Sequence, residues 1–188
     1  MKPILFAAAL LLTASSVSAH ITPPRILLRD TEAVRLLLPE ATTFTRTDIK
    51  PTKSQKDQCR KMMSWTPDQP SYRVFVGRDA QGRELGRVVF MGDITIHGVV
   101  QMAVALAPDS KVKGIAVVAI TDEAYGWVKP LVERNFAAQF VGKTPGDSFL
   151  QGERVAARRG SMETFYGQVL ASLIQRSAVL SHVAATAA

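Results

Sequence analysis

Four segments in the middle of the chain have the hydrophobic patterns of β-strands. Residues 72–76 alternate as a strand does, and residues 85–90 continue the pattern after a polar turn. Residues 99–106 are apolar apart from Gln101, and residues 112–121 are largely apolar and rich in β-branched side chains. The last two segments flank an Ala-Pro-Asp-Ser-Lys turn, whose Pro presets φ and whose Asp and Ser bond their own backbone. We therefore expect two β-hairpins, the second too apolar to be exposed on either face.

Two short helices and a linker are predicted before the first of these strands. Residues 31–38 indicate a helix that has Asp30 as its N-cap and is ended by a proline. Residues 42–52 are rich in threonine and are expected to form a linker. Residues 54–63 indicate a second helix, capped by Ser54 and with an aspartate in its first turn.

Helical spacing of apolar residues returns after the second hairpin. Residues 136–140 indicate a short helix, which Gly142 ends. Residues 163–180 predict a long C-terminal helix, and residues 181–188 are expected to fray as a flexible tail. Two adjacent stripes of the long helix are expected to face the sheet, one made of Phe165, Val169 and Leu173 and the other of Tyr166, Leu170 and Ile174.

Taken together, these patterns predict the α+β class. The expected architecture is an antiparallel β-sheet of roughly four to six strands, with helices packed on it and the long C-terminal helix among them. We expect residues 20–70 to form an N-terminal helical segment with a linker, and residues 71–180 to form the main domain.

The N-terminal residues 1–19 have the organisation of a signal peptide. Lys2 supplies a positive charge, an apolar stretch follows, and Val-Ser-Ala forms a small-residue cleavage site before His20. An uncleaved anchor is the alternative, but the apolar run is short of the ~20 residues that a membrane-spanning helix needs. The expectation is a periplasmic or otherwise exported protein without a transmembrane span after cleavage.

Composition and a few single residues exclude several classes of function and of site. Loss of Lys2 leaves 22 basic against 16 acidic residues, a net charge of +6, and no basic run interleaved with aromatics follows, so a nucleic-acid partner is not expected. Cys59 is the one cysteine, which excludes an internal disulfide and favours a buried thiol. His97 has no partner at metal-ligand spacing in the sequence, so we interpret it as structural and expect no metal site. A nucleophile–base constellation is not recognisable either.

A cluster of acidic and aromatic residues follows the second hairpin. Asp122-Glu123-Ala124-Tyr125-Gly126-Trp127 combines two acids, a glycine and two aromatics at the end of a strand. Such a combination is typical of a ligand-binding loop. Tyr125 and Trp127 are suited to stacking on a flat ring, and Gly126 permits close approach of the backbone.

Three segments in register resemble the FMN-binding domain family. In that family an apolar strand is followed by D-x-x-G-K-V, a second apolar strand, E-x-P-[GY]-G and F-x-x-Q-F-x-G-K. The chain has Val-Lys-Gly-Ile at residues 112–115, Glu-Ala-Tyr-Gly at residues 123–126, and FAAQFVGK at residues 136–143. The family also has a hairpin similar to residues 72–90, so the resemblance covers roughly residues 72–174, and residues 71–180 would be an FMN-binding-like domain.

The resemblance implies an exported flavoprotein of electron transport. The family includes the flavin-carrying subunits of Rnf-type and sodium-pumping NADH:quinone reductase complexes. It implies FMN as cofactor, and a membrane-bound redox complex or another electron-transfer protein as partner. The role expected is therefore electron carrier or accessory to such a complex, rather than a substrate-converting enzyme. Trp127 stands where many members have a smaller residue, so it either lines the flavin position or fills it.

The family's flavinylation motif, D-x-x-[ST]-G-A-[ST], is degenerate in this chain. In the family a flavin transferase joins the FMN phosphate to the last hydroxyl of this motif, which is the acceptor. In an ungapped alignment Gly160 matches the family Gly and Ser161 its small Ala, while Ala156 replaces the Asp and Met162 replaces the acceptor hydroxyl. With a two-residue insertion, Thr164 becomes the acceptor. The ungapped alignment is preferred because it keeps the glycine and the small residue. In either alignment the recognition pattern is broken, so a covalent flavin bond is not expected.

Arg158 and Arg159 offer another way to hold a phosphate at the same position. Two guanidinium groups beside Gly160, Ser161 and a helix N-terminus would bind it by charge-assisted hydrogen bonds, without a covalent bond. The alternative is a solvated arginine pair. Two functions follow from these observations: a flavin-binding electron carrier, or a flavin-free structural or interaction module of a redox or assembly system.

Overall fold

The computed structural model describes residues 22–149 and 161–186. The described part is an α+β fold in which a six-stranded antiparallel sheet carries helices on both faces. Its elements in chain order are β1 (Arg25–Ile26), α1 (Asp30–Leu37), β2 (Thr43–Ile49), α2 (Lys53–Met63), β3 (Tyr72–Arg78), β4 (Glu84–Thr95), β5 (Gly98–Leu106), β6 (Val112–Ile120), α3 (Asp122–Glu133), a 3₁₀ helix (Phe136–Phe140) and α4 (Met162–Thr186).

The sheet has the strand order β1-β6-β5-β4-β3-β2. Both predicted hairpins are confirmed: β3 pairs with β4, and β5 pairs with β6. A third hairpin joins β4 to β5 and is the longest, with paired residues from Arg87 and Leu106 at its base to Thr95 and Gly98 at its tip. The sequence therefore predicted the four central strands.

The threonine-rich segment predicted as a linker is a strand. Thr43–Ile49 forms β2, and every residue of it pairs with a residue of β3. The prediction was wrong because an edge strand with one solvated face has few apolar side chains to reveal it. Threonine is nonetheless a good strand residue, since its β-branched side chain suits a pleated surface. Residues 22–70 thus supply both edge strands of the sheet, together with two helices.

The first two helices begin slightly upstream of their predicted starts. Asp30 is the first helical residue of α1 and not its cap; the backbone N–H of Arg29 instead donates to Glu32 Oε2 at 2.7 Å. In α2 the cap is Thr52: its hydroxyl accepts from the Gln55 N–H at 3.3 Å, and its own N–H donates to Gln55 Oε1 at 2.8 Å. This reciprocal pair of bonds is a capping box. Ser54, the predicted cap, lies inside the helix.

Two apolar clusters occupy the two faces of the sheet. On one face α1 packs its Ala33, Val34 and Leu38 side against β4, β5 and β6. On the other face α3, the 3₁₀ helix and α4 cover the larger cluster, which we call the main core. Leu173 and Ile174 are fully buried in it. Helix α4 therefore docks on the sheet as predicted.

The buried side of α4 differs in part from the predicted stripes. Tyr166, Leu170, Leu173 and Ile174 are buried, whereas Phe165 is 36% exposed. The prediction for Phe165 was wrong because both stripes are equally apolar in sequence. The position of the sheet decides which of them faces inwards.

The end of α4 is ordered helix and not a flexible tail as far as Thr186. Val179 and Val183 are buried against Cys59 of α2, and Ser181 is buried as well. The prediction of fraying was wrong because α2 supplies an apolar surface for these residues. Cys59 is a buried free thiol, as predicted, and burial raises its pKa. Residues 187–188 lie outside the described residues.

Candidate functional site

The acidic and aromatic cluster after β6 is the beginning of a helix and not a loop. Asp122–Glu133 forms α3, which starts after Thr121 and carries two acids in its first turn, where they stabilise the positive end of the helix dipole. Gly126 is helical despite its propensity cost of ~1 kcal/mol. The sequence prediction was wrong because one glycine and two aromatics do not outweigh such a favourable helix start.

Three aromatic rings meet between the β4–β5 turn, α3 and the beginning of α4. The rings of Trp127 and Tyr166 are stacked, with centroids 5.8 Å apart and planes 10° from parallel. The ring of His97, from the β4–β5 turn, lies 4.7 Å from that of Trp127 and 6.5 Å from that of Tyr166. We call His97, Trp127 and Tyr166 the aromatic cluster.

Hydrogen bonds fix the position of Tyr166. Its hydroxyl lies 3.1 Å from Thr95 Oγ1, which itself donates to the Gly98 carbonyl at 2.9 Å. Since the single Thr95 proton is used in that bond, Tyr166 is the donor to Thr95. Burial raises the pKa of Tyr166, so the phenol is held in its neutral form.

The β4–β5 turn depends on a glycine. Gly98 has a φ of +103°, and a Cβ at this position would come within 2.5 Å of the Thr121 side chain. Thr121 uses that close approach to donate from its hydroxyl to the His97 carbonyl at 2.7 Å. The turn is thereby tied to the residue that precedes α3, and His97 is held beside Trp127.

An acid from α3 completes this side of the cluster. His97 Nδ1 lies 2.6 Å from Glu123 Oε1. A carboxylate can only accept, so the His97 ring carries its proton on Nδ1 in this contact. The sequence interpretation of His97 as merely structural missed this pairing, because the two residues are 26 positions apart and only the fold brings them together.

The N-terminus of α4 lies at the same side of the molecule and is capped by Ser161. The Thr164 N–H donates to Ser161 Oγ at 3.2 Å, and the two hydroxyl oxygens lie 3.0 Å apart. Glu163 is neutralised by Arg134, the residue that follows α3; Arg134 Nη2 lies 2.6 Å from Glu163 Oε2. Met162 is partly buried against the main core.

The structure does not bring all the predicted site residues together. Trp127 stacks on Tyr166 of α4, the helix whose N-terminus is formed by Ser161 and Thr164, and Glu123 contacts His97, which lies beside Trp127 as well. Tyr125 is not with them, because it projects from another side of α3, where the Arg25 guanidinium lies 5.3 Å from its ring centroid.

The remaining predicted residues are a helical glycine and a group that the structure does not describe. Gly126 is exposed, and a Cβ there would meet no atom within 4 Å. Tyr125 and Trp127, both expected to suit stacking on a flat ring, project in different directions, because residues two apart in a helix are rotated by about 200° about its axis. Arg158, Arg159 and Gly160 lie outside the described residues.

Thr95 and Tyr166 were not predicted as site residues. The sequence placed Tyr166 in a core stripe, and its burial agrees with that, but its hydroxyl also reaches the β4–β5 turn. Thr95 has no recognisable signal in the sequence. Both residues become visible as members of the site only through contacts between elements that are far apart in the chain.

Comparison of the chain with protein-family models, with curated proteins and with solved structures found no match in any of the three. Within residues 22–149 and 161–186, no three or more His, Cys, Asp or Glu side chains are grouped so as to hold a metal ion. In the same ranges, no helix combines the length and the apolar character needed to cross a membrane.

Proposed function

We propose that the protein is an exported FMN-binding protein that serves as an electron carrier or as an accessory to a membrane redox complex. The observation that carries the proposal is that Trp127 stacks on Tyr166, which lies close to the N-terminus of α4 that Ser161 caps. An aromatic surface and a helix N-terminus are the two kinds of group that a flavin ring and a flavin phosphate require. The family resemblance of residues 72–174 supports the same assignment.

The residues present fit the phosphate end of FMN. The hydroxyls of Ser161 and Thr164 and the backbone amides of the first turn of α4 are the donor types that bind phosphate. The one acid among them, Glu163, is paired with Arg134 and so adds little net repulsion. Arg158 and Arg159, directly before this turn in the sequence, would add charge-assisted hydrogen bonds.

At the ring end, Trp127 is the residue that would contact FMN. It is partly buried against the main core and stacked on Tyr166, so one face of its indole is fixed. His97 lies on the indole too, and its link to Glu123 holds it there. Exposed Gly126, one position before Trp127, leaves room for a flat ligand to approach the α3 backbone. FMN, when bound, would supply the electron-transfer chemistry.

The test is a titration of the mature chain with FMN, in which binding is measured from the quenching of flavin fluorescence. Arg159→Ala should weaken binding roughly ten- to a hundredfold, because one charge-assisted hydrogen bond is worth ~1.5–3 kcal/mol. Binding should also weaken with salt. Tyr125→Ala is the matched control: its ring faces Arg25, so this variant should bind FMN as the wild type does.

The mode of attachment needs a separate measurement. With Met162 at the acceptor position, protein from cells that carry the flavin transferase should show no fluorescent band on a denaturing gel. A band that disappears in Thr164→Ala would instead establish the gapped alignment and a covalent flavin. Absence of both the band and FMN binding would overturn the flavin proposal.

A specific observation favours a second function, that of a flavin-free structural or interaction module. Trp127 already has ring contacts with both Tyr166 and His97. Trp127 would then occupy the position of the flavin ring itself. In that case Trp127→Ala should destabilise the fold, and FMN should not bind to either the wild type or any variant.

A further inference from the structure

One edge of the sheet is open in the described part of the chain. β6 pairs along its length with β5, but on its outer side only Ala119 and Ile120 pair with β1, and the Val118 carbonyl accepts from two N–H groups that follow β1. At the other end, Val112 exchanges backbone hydrogen bonds with residues 142–143. Residues 113–117 have no strand beside them among the described residues.

This open stretch has the geometry that strand addition requires. Its pairing with β5 is regular from Gly114 to Val117, and a register shift lies at each end of it. A regular edge with unpaired N–H and C=O groups is a template for another strand. Edges are often protected by a lysine, but the Lys113 side chain turns away and bonds to Glu40.

The open edge is the floor of an apolar groove of about 380 Å³. Residues 115–117 form this floor; Leu36 of α1 is on one side, and Val128 and Val132 of α3 are on the other. Leu36 is 61% exposed and Val132 is 55% exposed. Large apolar side chains left in water on both sides of an unpaired edge mark an interaction surface.

We propose that this edge is a self-association surface, to which a second copy of the chain adds its own β6 in the antiparallel direction. A two-fold axis perpendicular to the sheet at Ile115, the middle of residues 113–117, would pair this stretch with its counterpart in the second copy and join the two sheets into one. The same axis places α3 beside the partner's α3 on one face and α1 beside the partner's α1 on the other. Such an interface is isologous, so each patch must complement itself.

The charges on α3 meet that condition. Lys129 and Glu133 both line the groove, one helical turn apart, and their charged groups lie 3.7 Å from each other. Two antiparallel copies of α3 bring Lys129 of one subunit opposite the partner's Glu133, and the reverse contact forms by symmetry. Val132 lies between these charges and would be covered by its counterpart. Charges of one sign on α3 would repel a second copy. The opposite charges of Lys129 and Glu133 attract it.

The test is sedimentation equilibrium of the mature chain and of charge variants at α3. The wild type should dimerise with a Kd in the range of about 1–100 μM. Lys129→Glu should raise the Kd about tenfold or more, because four acids then meet at the axis, and Glu133→Lys should do the same with four lysines. The double variant Lys129→Glu/Glu133→Lys should keep the wild-type Kd.

Mixing the two single variants gives the sharpest result. A chain with two acids on α3 and a chain with two lysines should form a heterodimer tighter than either homodimer. Val132→Asp should abolish dimerisation, whereas Ile96→Lys, at an 83% exposed apolar position in the distant β4–β5 turn, should have no effect. Circular dichroism of each variant establishes that it is folded.

Two outcomes overturn the proposal. A wild-type chain that remains monomeric at about 500 μM does so, since a dimer with the expected Kd would be largely formed at that concentration. A dimer that is lost in Ile96→Lys but unchanged in Val132→Asp and in both charge variants does so as well, because it would use another face. Neither outcome bears on FMN binding, which is tested separately.

Discussion

Replacement of Leu173 by alanine tests whether α4 is docked on the sheet as the structure has it. Leu173 is fully buried in the main core, to which α4 and the sheet both contribute. The substitution removes three carbon atoms, which at about 0.8 kcal/mol per methylene loses about 2.4 kcal/mol of transfer free energy. The cavity left behind adds to this loss, so the free energy of unfolding should fall by about 2–5 kcal/mol.

Urea unfolding followed by circular dichroism measures this change directly. The midpoint should fall while the slope m stays the same, because the surface exposed on unfolding hardly differs. In a thermal scan a loss of about 3 kcal/mol corresponds to a drop in Tm of about 6–12 °C for a domain of this size.

Phe165→Ala is the matched control on the same helix. Phe165 carries the larger side chain but is 36% exposed, so its truncation should cost less than half as much as Leu173→Ala. A cost of Leu173→Ala below about 0.5 kcal/mol would refute the docking of α4. A larger loss of stability in Phe165→Ala than in Leu173→Ala would refute the orientation of α4, in which Leu173 is buried and Phe165 is partly exposed.

Four further predictions test other parts of the molecule. Gly126→Ala should raise the free energy of unfolding by about 0.5–1 kcal/mol, because the site is helical and open, and should weaken FMN binding if the flavin approaches α3 there. Val183→Ala should lower stability by about 1–2 kcal/mol in urea; a frayed tail would show no change. The raised pKa values of Tyr72 and Tyr166 mean that the unfolded chain releases these protons first, so stability should be complete below about pH 10 and fall above it, and Tyr166→Phe should reduce that fall. N-terminal sequencing of mature protein should begin at His20; full-length chain in a membrane fraction would contradict cleavage.

The central strands could be predicted from the sequence for a simple reason. Residues 99–106 and 112–121 are apolar enough that only a buried position accounts for them, and a Pro-Asp turn separates them. Both strands are therefore specified by local composition. The long C-terminal helix is likewise specified by its spacing of apolar residues, and Cys59 by its place on a short helix.

Elements with weak local signals were missed. β2 is a strand because β3 offers it hydrogen-bonding partners along its whole length, not because its side chains require burial. Residues 181–186 stay helical because α2 covers them. The segment at Glu123 and Trp127 has both turn-like and helix-like features, and the packing of α3 against α4 and β5 favours the helix.

The candidate site shows most clearly which features the sequence determines and which depend on the tertiary structure. The sequence by itself determined the α+β class, the four central strands and the buried thiol. It also determined the separate presence of Glu123, Trp127 and a serine–threonine pair at the start of the last helix. The tertiary structure alone decided that His97 meets Glu123 at 2.6 Å, that Trp127 stacks on Tyr166, and that Tyr125 faces Arg25 instead. The spacing of apolar residues indicates which side of a helix or strand is buried, because each buried position favours an apolar residue whatever its neighbours are. Which polar and aromatic side chains meet depends on how elements distant in sequence are placed, and no local pattern carries that information.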